Sequence, residues 1–237
     1  MTKTPKSQKS RWSSIVTVLF FAFFMGASGA ALAQTQKEAQ AQKGAQNVPL
    51  DEINHALATL QPQSGRFTQS AANGDVVQGR YFMDWPQRLR FAYDNDGPVI
   101  TVRKKFIAIQ DTPRQEPNWV PVSLTPLALI RRAVAQGISP AMLVEAERST
   151  GAVHGANSNA GYWALTLRDP EADIGGQATL YFTAADLTLY AWRLVDAQQL
   201  VTQVALNRIT RHKALDSAVL TLVTMMMRTR IKRHVAN

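Results

Sequence analysis

None of the 237 residues is cysteine. That absence excludes a disulfide framework, a thiol nucleophile and any Cys-ligated metal. It also leaves no acceptor for an N-terminal lipid of the bacterial lipoprotein kind. Catalytic signatures are missing too. There is no G-x-S-x-G elbow, no P-loop and no dinucleotide fingerprint. The four histidines (His55, His154, His212, His234) stand apart, without metal-ligand spacing. Asp94-Asn95-Asp96 carries turn chemistry rather than an acid/base pair. No enzyme, metal or cofactor is expected. Long apolar runs are lacking as well: Ile15 to Met25, IVTVLFFAFFM, is eleven residues. As helix it rises about 16 Å, roughly half the hydrocarbon thickness of a bilayer, which is too short to span.

The flanks of that run give it a different meaning. Lys3, Lys6, Lys9 and Arg11 precede it without an acidic residue, and Ala31-Leu32-Ala33 stands before Gln34. A basic start, a short apolar core and an A-x-A site make a secretory signal peptide. Cleavage is expected after Ala33, leaving a periplasmic protein free in solution. The net charge of +9 then redistributes. From Arg208 onward seven basic residues face one acid, Asp216, while residues 34–207 hold 15 basic against 16 acidic. The high pI belongs to the tail, so the body lacks the basic face of a nucleic-acid binder.

The expected order is signal peptide (1–33), flexible lead-in (34–47), one domain (48–223) and basic tail (224–237). QTQKEAQAQKGAQN (34–47) has no large apolar residue and cannot contribute to a core. Leu50, Ile53, Leu57 and Leu60 recur at helical spacing, with Pro49 before them and Asp51 and Glu52 in the first turn. From Ser64 the period changes to two. SGRFTQSA and VVQGRYFM flank Asn73-Gly74, a hairpin signal. RLRFAYD alternates, with Leu89, Phe91 and Tyr93 on one side and Arg88 and Arg90 on the other. Short strands follow at 99–102 and 105–110. The proline-containing stretch 111–123 reads as loop, and TPLALIRRAV as a short helix with Pro126 at its start. Five further strand-like segments fill 142–209, separated by turn material at 155–161 and 169–176. About ten strands and two helices make the class α+β, mostly antiparallel β. Apolar bulk on one side of the sheet fits either a filled core or a ligand cavity.

The order of these motifs resembles the LolA family of periplasmic lipoprotein carriers. The residues are S-G-R-F-T-Q (64–69), N-G (73–74), G-R-Y-F (79–82), W-P-x-x-L-R-F-x-Y-D (85–94) and the T-P-L-x-L-I helix from Thr125 to Ile130. D-A-Q-Q-L-V-T-Q-V-A-L-N-R-I (196–209) and A-L-D-S-A-V-L-T-L (214–222) are similar to its closing segments. The resemblance implies an incomplete β-barrel, a half-barrel with helices covering its concave face. It implies that lipoprotein acyl chains bind between them, taken from an inner-membrane ABC lipoprotein exporter and passed to an outer-membrane lipoprotein acceptor by a monomeric carrier. On that reading Phe67, Tyr81, Met83, Leu89, Phe91, Tyr93, Leu127 and Ile130 line the cavity. The family carries Arg before the proline of 85–86, where it holds the lid; here it is Trp85, so an apolar latch is expected. A periplasmic lipid- or lipoprotein-sensing regulator with the same half-barrel is the alternative.

Intact mass of periplasmic protein is expected to begin at Gln34, as glutamine or pyroglutamate. A full-length chain confined to membranes would identify an uncleaved anchor instead.

Overall fold

The computed structural model describes residues 48–111, 116–153 and 156–220, with backbone alone for 151–153 and 156–160. The expected signal peptide, lead-in and basic tail lie outside the described residues. Helix α1 (Leu50–Ala58) buries Ile53 and Leu57 and carries Asp51 and Glu52 in its first turn, where carboxylates favour the helix dipole. Strands β1 (Gln63–Ala71) and β2 (Val76–Asp84) form the expected hairpin. Gly74 takes φ +83° at its turn, and the Asp75 N–H donates to Asn73 Oδ1 at 3.1 Å. β3 (Arg88–Tyr93), β4 (Val99–Arg103) and β5 (Phe106–Gln110) follow as antiparallel neighbours.

Two segments read as loop are strand. β6 (Asn118–Pro121) pairs with β5 and closes that edge of the sheet. Pro121 is tolerated because an edge strand needs no N–H on its open side. β8 (Ala156–Leu167) begins inside the stretch taken for turn, since Ser158 and Asn157 pair with Gly151 and Ala152 of β7 (Leu143–Val153). Polar side chains do not prevent backbone pairing when a partner strand supplies the hydrogen bonds. Between β6 and β7 run a short 3₁₀ turn (Val122–Leu124) and helix α2 (Leu127–Gln136), which Pro126 enters at φ −60°. β9 (Gln177–Thr183), β10 (Leu189–Val195) and β11 (Val201–Arg211) complete the described elements.

The eleven strands form one open antiparallel sheet in the order β6-β5-β4-β3-β2-β1-β11-β10-β9-β8-β7. This is the incomplete barrel that the family resemblance implied. The described chain enters the sheet at its centre, runs out to the β6 edge, crosses to the β7 edge and returns. α2 is the crossing segment. One face carries the main core: Phe67, Tyr81, Met83 and Leu89 from the first half, Leu165, Leu180, Phe182 and Trp192 from the second, and Ile53, Leu57, Leu129, Ile130 and Ala133 from the helices.

Gly79 lies directly opposite Phe67 across the β1–β2 pairing. Its missing side chain leaves room for the Phe67 ring, which meets Phe91 and Tyr93 edge-on at centroid distances of 5.2 and 5.0 Å. A Cβ on Gly79 would sit 2.5 Å from the ring and 2.3 Å from the Ala92 carbonyl oxygen. Gly79→Ala is therefore expected to cost about 1–3 kcal/mol through overpacking. Thermal unfolding reads this as a fall of roughly 3–10 °C, and an unchanged midpoint would show that the ring stack can relax.

Candidate functional site

The face of the sheet beneath α2 is not evenly filled. An apolar cavity of about 70 Å³ lies where α2 begins, bounded by Thr125, Pro126 and Leu127 on the helix side. Its walls are Phe91 and Tyr93 of β3, Ile100 and Val102 of β4, Ile107 of β5, Trp192 and Leu194 of β10, and Thr202 and Val204 of β11. Asp196 and Leu200 border it from the β10–β11 turn. Gln69 of β1 is a polar group in the wall, and the Tyr93 hydroxyl donates to its Oε1 at 2.6 Å. Burial pushes the Tyr93 phenol far above its usual range, against a smaller opposing effect of the Gln69 bond, so it stays neutral and donates. The cavity is far smaller than the roughly 300–1,000 Å³ of sites that engulf a ligand. With α2 in this position it does not hold a long chain.

Of the eight residues expected to line the cavity, Phe91, Tyr93 and Leu127 do so. Phe67, Tyr81, Met83, Leu89 and Ile130 are buried in the filled core instead, each 1% exposed or less. The alternation that put Leu89, Phe91 and Tyr93 on one face is correct, but one face here serves two purposes. The walls from β4, β5, β10 and β11 went unnamed because their place depends on which strands flank β1. Trp192 could have been flagged by the alternation within LYAWRLV.

Besides its buried apolar face, α2 is held by polar contacts. The Arg131 guanidinium donates from Nε to the Pro86 carbonyl at 2.8 Å and from a terminal nitrogen to the Lys104 carbonyl. Arg132, its neighbour, donates to the Asp169 carboxylate at 2.6 Å. Past the helix end, the Asn54 side chain of α1 both donates to and accepts from the Ile138 backbone, at 3.1 and 2.7 Å. Beside the apolar latch expected at Trp85, these polar contacts join α2 to the sheet, and Trp85 itself lies in the core cluster that holds Leu129 and Ile130 of α2. The Trp85 ring packs edge-on to Trp192 at 6.2 Å, its indole N–H is buried without a partner among the described residues, and the hydrogen bonds come from Arg131 to the adjoining Pro86. Two adjacent arginines within an otherwise apolar helix were the sequence signal for this.

Burial alone would raise the Asp169 carboxyl. The hydrogen bonds from Arg132 and from the Ile174 and Glu171 amides outweigh it and hold the group below the ordinary aspartate range. Because the folded value is depressed, this tether contributes in full above the unfolded pKa of about 4 and is lost as pH falls through the folded value.

No protein-family model matches the sequence, and no curated protein matches it. Among solved structures, the chain is similar to an uncharacterized conserved protein from Thermus thermophilus, at 13% identity over 76% of this chain and 92% of that one, with a TM-score of 0.42. It is similar to a LolA superfamily protein from Nitrosomonas europaea, at 9% identity over 76% and 97%, with a TM-score of 0.40. It is also similar to MucB, at 12% identity over 77% of this chain and 62% of MucB, with a TM-score of 0.42.

Arg131→Ala is expected to lower stability by about 1.5–3 kcal/mol, as for hydrogen bonds made by a charged group. It should also raise binding of an apolar dye while the sheet's circular dichroism stays unchanged. Arg131→Lys should not restore wild-type behaviour, because an ammonium lacks the fork that spans two carbonyls. Dye binding equal to wild type in both variants would mean that α2 is held elsewhere.

Proposed function

We propose that this chain is a periplasmic carrier that shields the acyl chains of lipoproteins between the inner and the outer membrane. The observation that carries the reading is the apolar cavity under a helix held down at a few polar points. A sixteen-carbon acyl chain resists water by roughly 12 kcal/mol, at about 0.8 kcal/mol per CH₂. A carrier must offer an apolar wall of comparable reach and still let go. A cover closed by hydrogen bonds meets both needs, since its bonds can be exchanged for water while the wall below stays dry. No covalent step is required. An inner-membrane ABC lipoprotein exporter would load the cavity and an outer-membrane lipoprotein acceptor would empty it.

Leu127 and Leu89 separate the cavity from the core. Leu127 is half-buried at the first turn of α2, where a carboxylate sits well with the helix dipole, and it borders the hollow. Leu127→Glu is expected to fold normally and to bind a triacylated lipopeptide about tenfold or more weakly, since the ligand must then bury a charge. Leu89 is fully buried in packed core, so Leu89→Glu should unfold the domain, at a cost of several kcal/mol. Native mass spectrometry of periplasmic protein, with transfer of the lipopeptide to acceptor vesicles, reads both. Wild-type transfer by Leu127→Glu would sink the carrier reading, and binding without transfer would favour a sensor.

A further inference from the structure

The β5–β6 edge carries an apolar surface that the cavity does not use. Phe106 is 48% exposed, Trp119 54% and Leu124 72%. The rings of Phe106 and Trp119 meet edge-to-face at 6.5 Å, and Phe106 pairs across the strands with Pro121. The Val122 N–H donates to the Lys105 carbonyl at 2.8 Å, which brings the turn bearing Leu124 against the turn bearing Lys104 and Lys105. Both lysines are exposed. Neither 99–110 nor 118–127 contains an acid, and Asp111 and Glu116 lie at the opposite end of the β5–β6 pairing. Asp84, which the register places at the lysine end through Arg88 and Arg103, is neutralised by Arg88 at 2.6 Å.

Trp and Phe beside unopposed lysines match the chemistry of a bilayer interface: rings seat at headgroup depth and ammonium groups meet lipid phosphate. Protein interfaces, in contrast, are depleted in lysine. We propose that this edge docks the protein on an anionic membrane surface. Phe106 and Trp119 lie on the opposite face of the sheet from the cavity, to which the same edge contributes Ile107 and, past the turn, Thr125. The Arg131 tether also ends on Lys104 of the same turn. The docking surface stands on its own residues, and only its pairing with acyl uptake rests on the carrier reading.

The absence of cysteine allows a clean test on the whole exported chain. An environment-sensitive fluorophore is placed by Leu124→Cys, with Val76→Cys, exposed on β2, as the control position. Phosphatidylcholine vesicles containing phosphatidylglycerol should brighten and blue-shift the label at 124 and leave that at 76 unchanged, while vesicles of phosphatidylcholine alone should do neither. Lys104→Glu with Lys105→Glu, and separately Phe106→Ser with Trp119→Ser, should each weaken the response about tenfold or more. Vesicle binding with a silent label at 124 would overturn the proposal in favour of the basic tail. So would a response that depends on protein concentration without vesicles, which marks a second copy, or no binding at low salt. Binding of the triacylated lipopeptide in vesicle-free solution reads the cavity separately, so its failure sinks the carrier reading and leaves the docking result standing.

Discussion

The crossing of the sheet by α2 is the constraint from which the rest of the arrangement follows. β1 sits at the centre, and the chain reaches one edge before it begins the second half at the other. A single connection must therefore traverse a face of the sheet. An extended crossing would bury unpaired backbone polar groups, whereas a helix satisfies its own. The traversing helix must then be apolar below, as Leu129, Ile130, Ala133 and Val134 are, and fastened at both sides. Topology dictates a cover over the concave face, and side chains decide how tightly it closes.

That face is filled in one region and hollow in another. The Phe67 ring over Gly79 anchors the filled part together with Tyr81, Met83 and Leu89, and large residues there pack the space. Toward the start of α2 the same face presents Ile100, Val102 and Ile107 on one side and Leu194 and Val204 on the other, with the hollow between them. On the carrier reading, stability and binding fall to neighbouring patches of one surface. A substitution in the first patch is then expected to act on folding, and one in the second on occupancy.

Much of this was legible in the sequence. Period-two alternation located ten of the eleven strands, and the Asn-Gly turn and the Pro126 helix start were local signals that tertiary contacts did not override. β6 escaped because its pattern is four residues long and ends in proline, so only the presence of β5 beside it makes it a strand. The cavity escaped in part because alternation reports which side of a strand faces inward, never how far the opposing wall stands. Phe91 and Leu89 look equivalent from sequence; the register places one at the hollow and the other in the core. Trp85 drew attention as a departure from a familiar pattern, whereas the carbonyl of the adjoining Pro86 accepts a hydrogen bond from Arg131. That residue stands 45 positions beyond Pro86, and only the folded chain brings the two together.

The three tethers of α2 are not energetically equal, and the difference has a direction. Breaking the Arg132 contact strands a carboxylate whose side chain is fully buried, and the desolvation of that charge makes the Asp169 side costly to release. The Asn54 clasp on Ile138 ties α1 to the segment just past α2 and does not restrain α2 against the sheet. The Arg131 bonds run to backbone carbonyls, one of them at an exposed site where water can replace the guanidinium at little cost. The most readily exchanged tether is therefore the one toward β4 and β5, whose Ile100, Val102 and Ile107 form a wall of the hollow. On the carrier reading, a helix that lifts from that side and pivots on Arg132 and Asp169 exposes the cavity without disturbing the packed core.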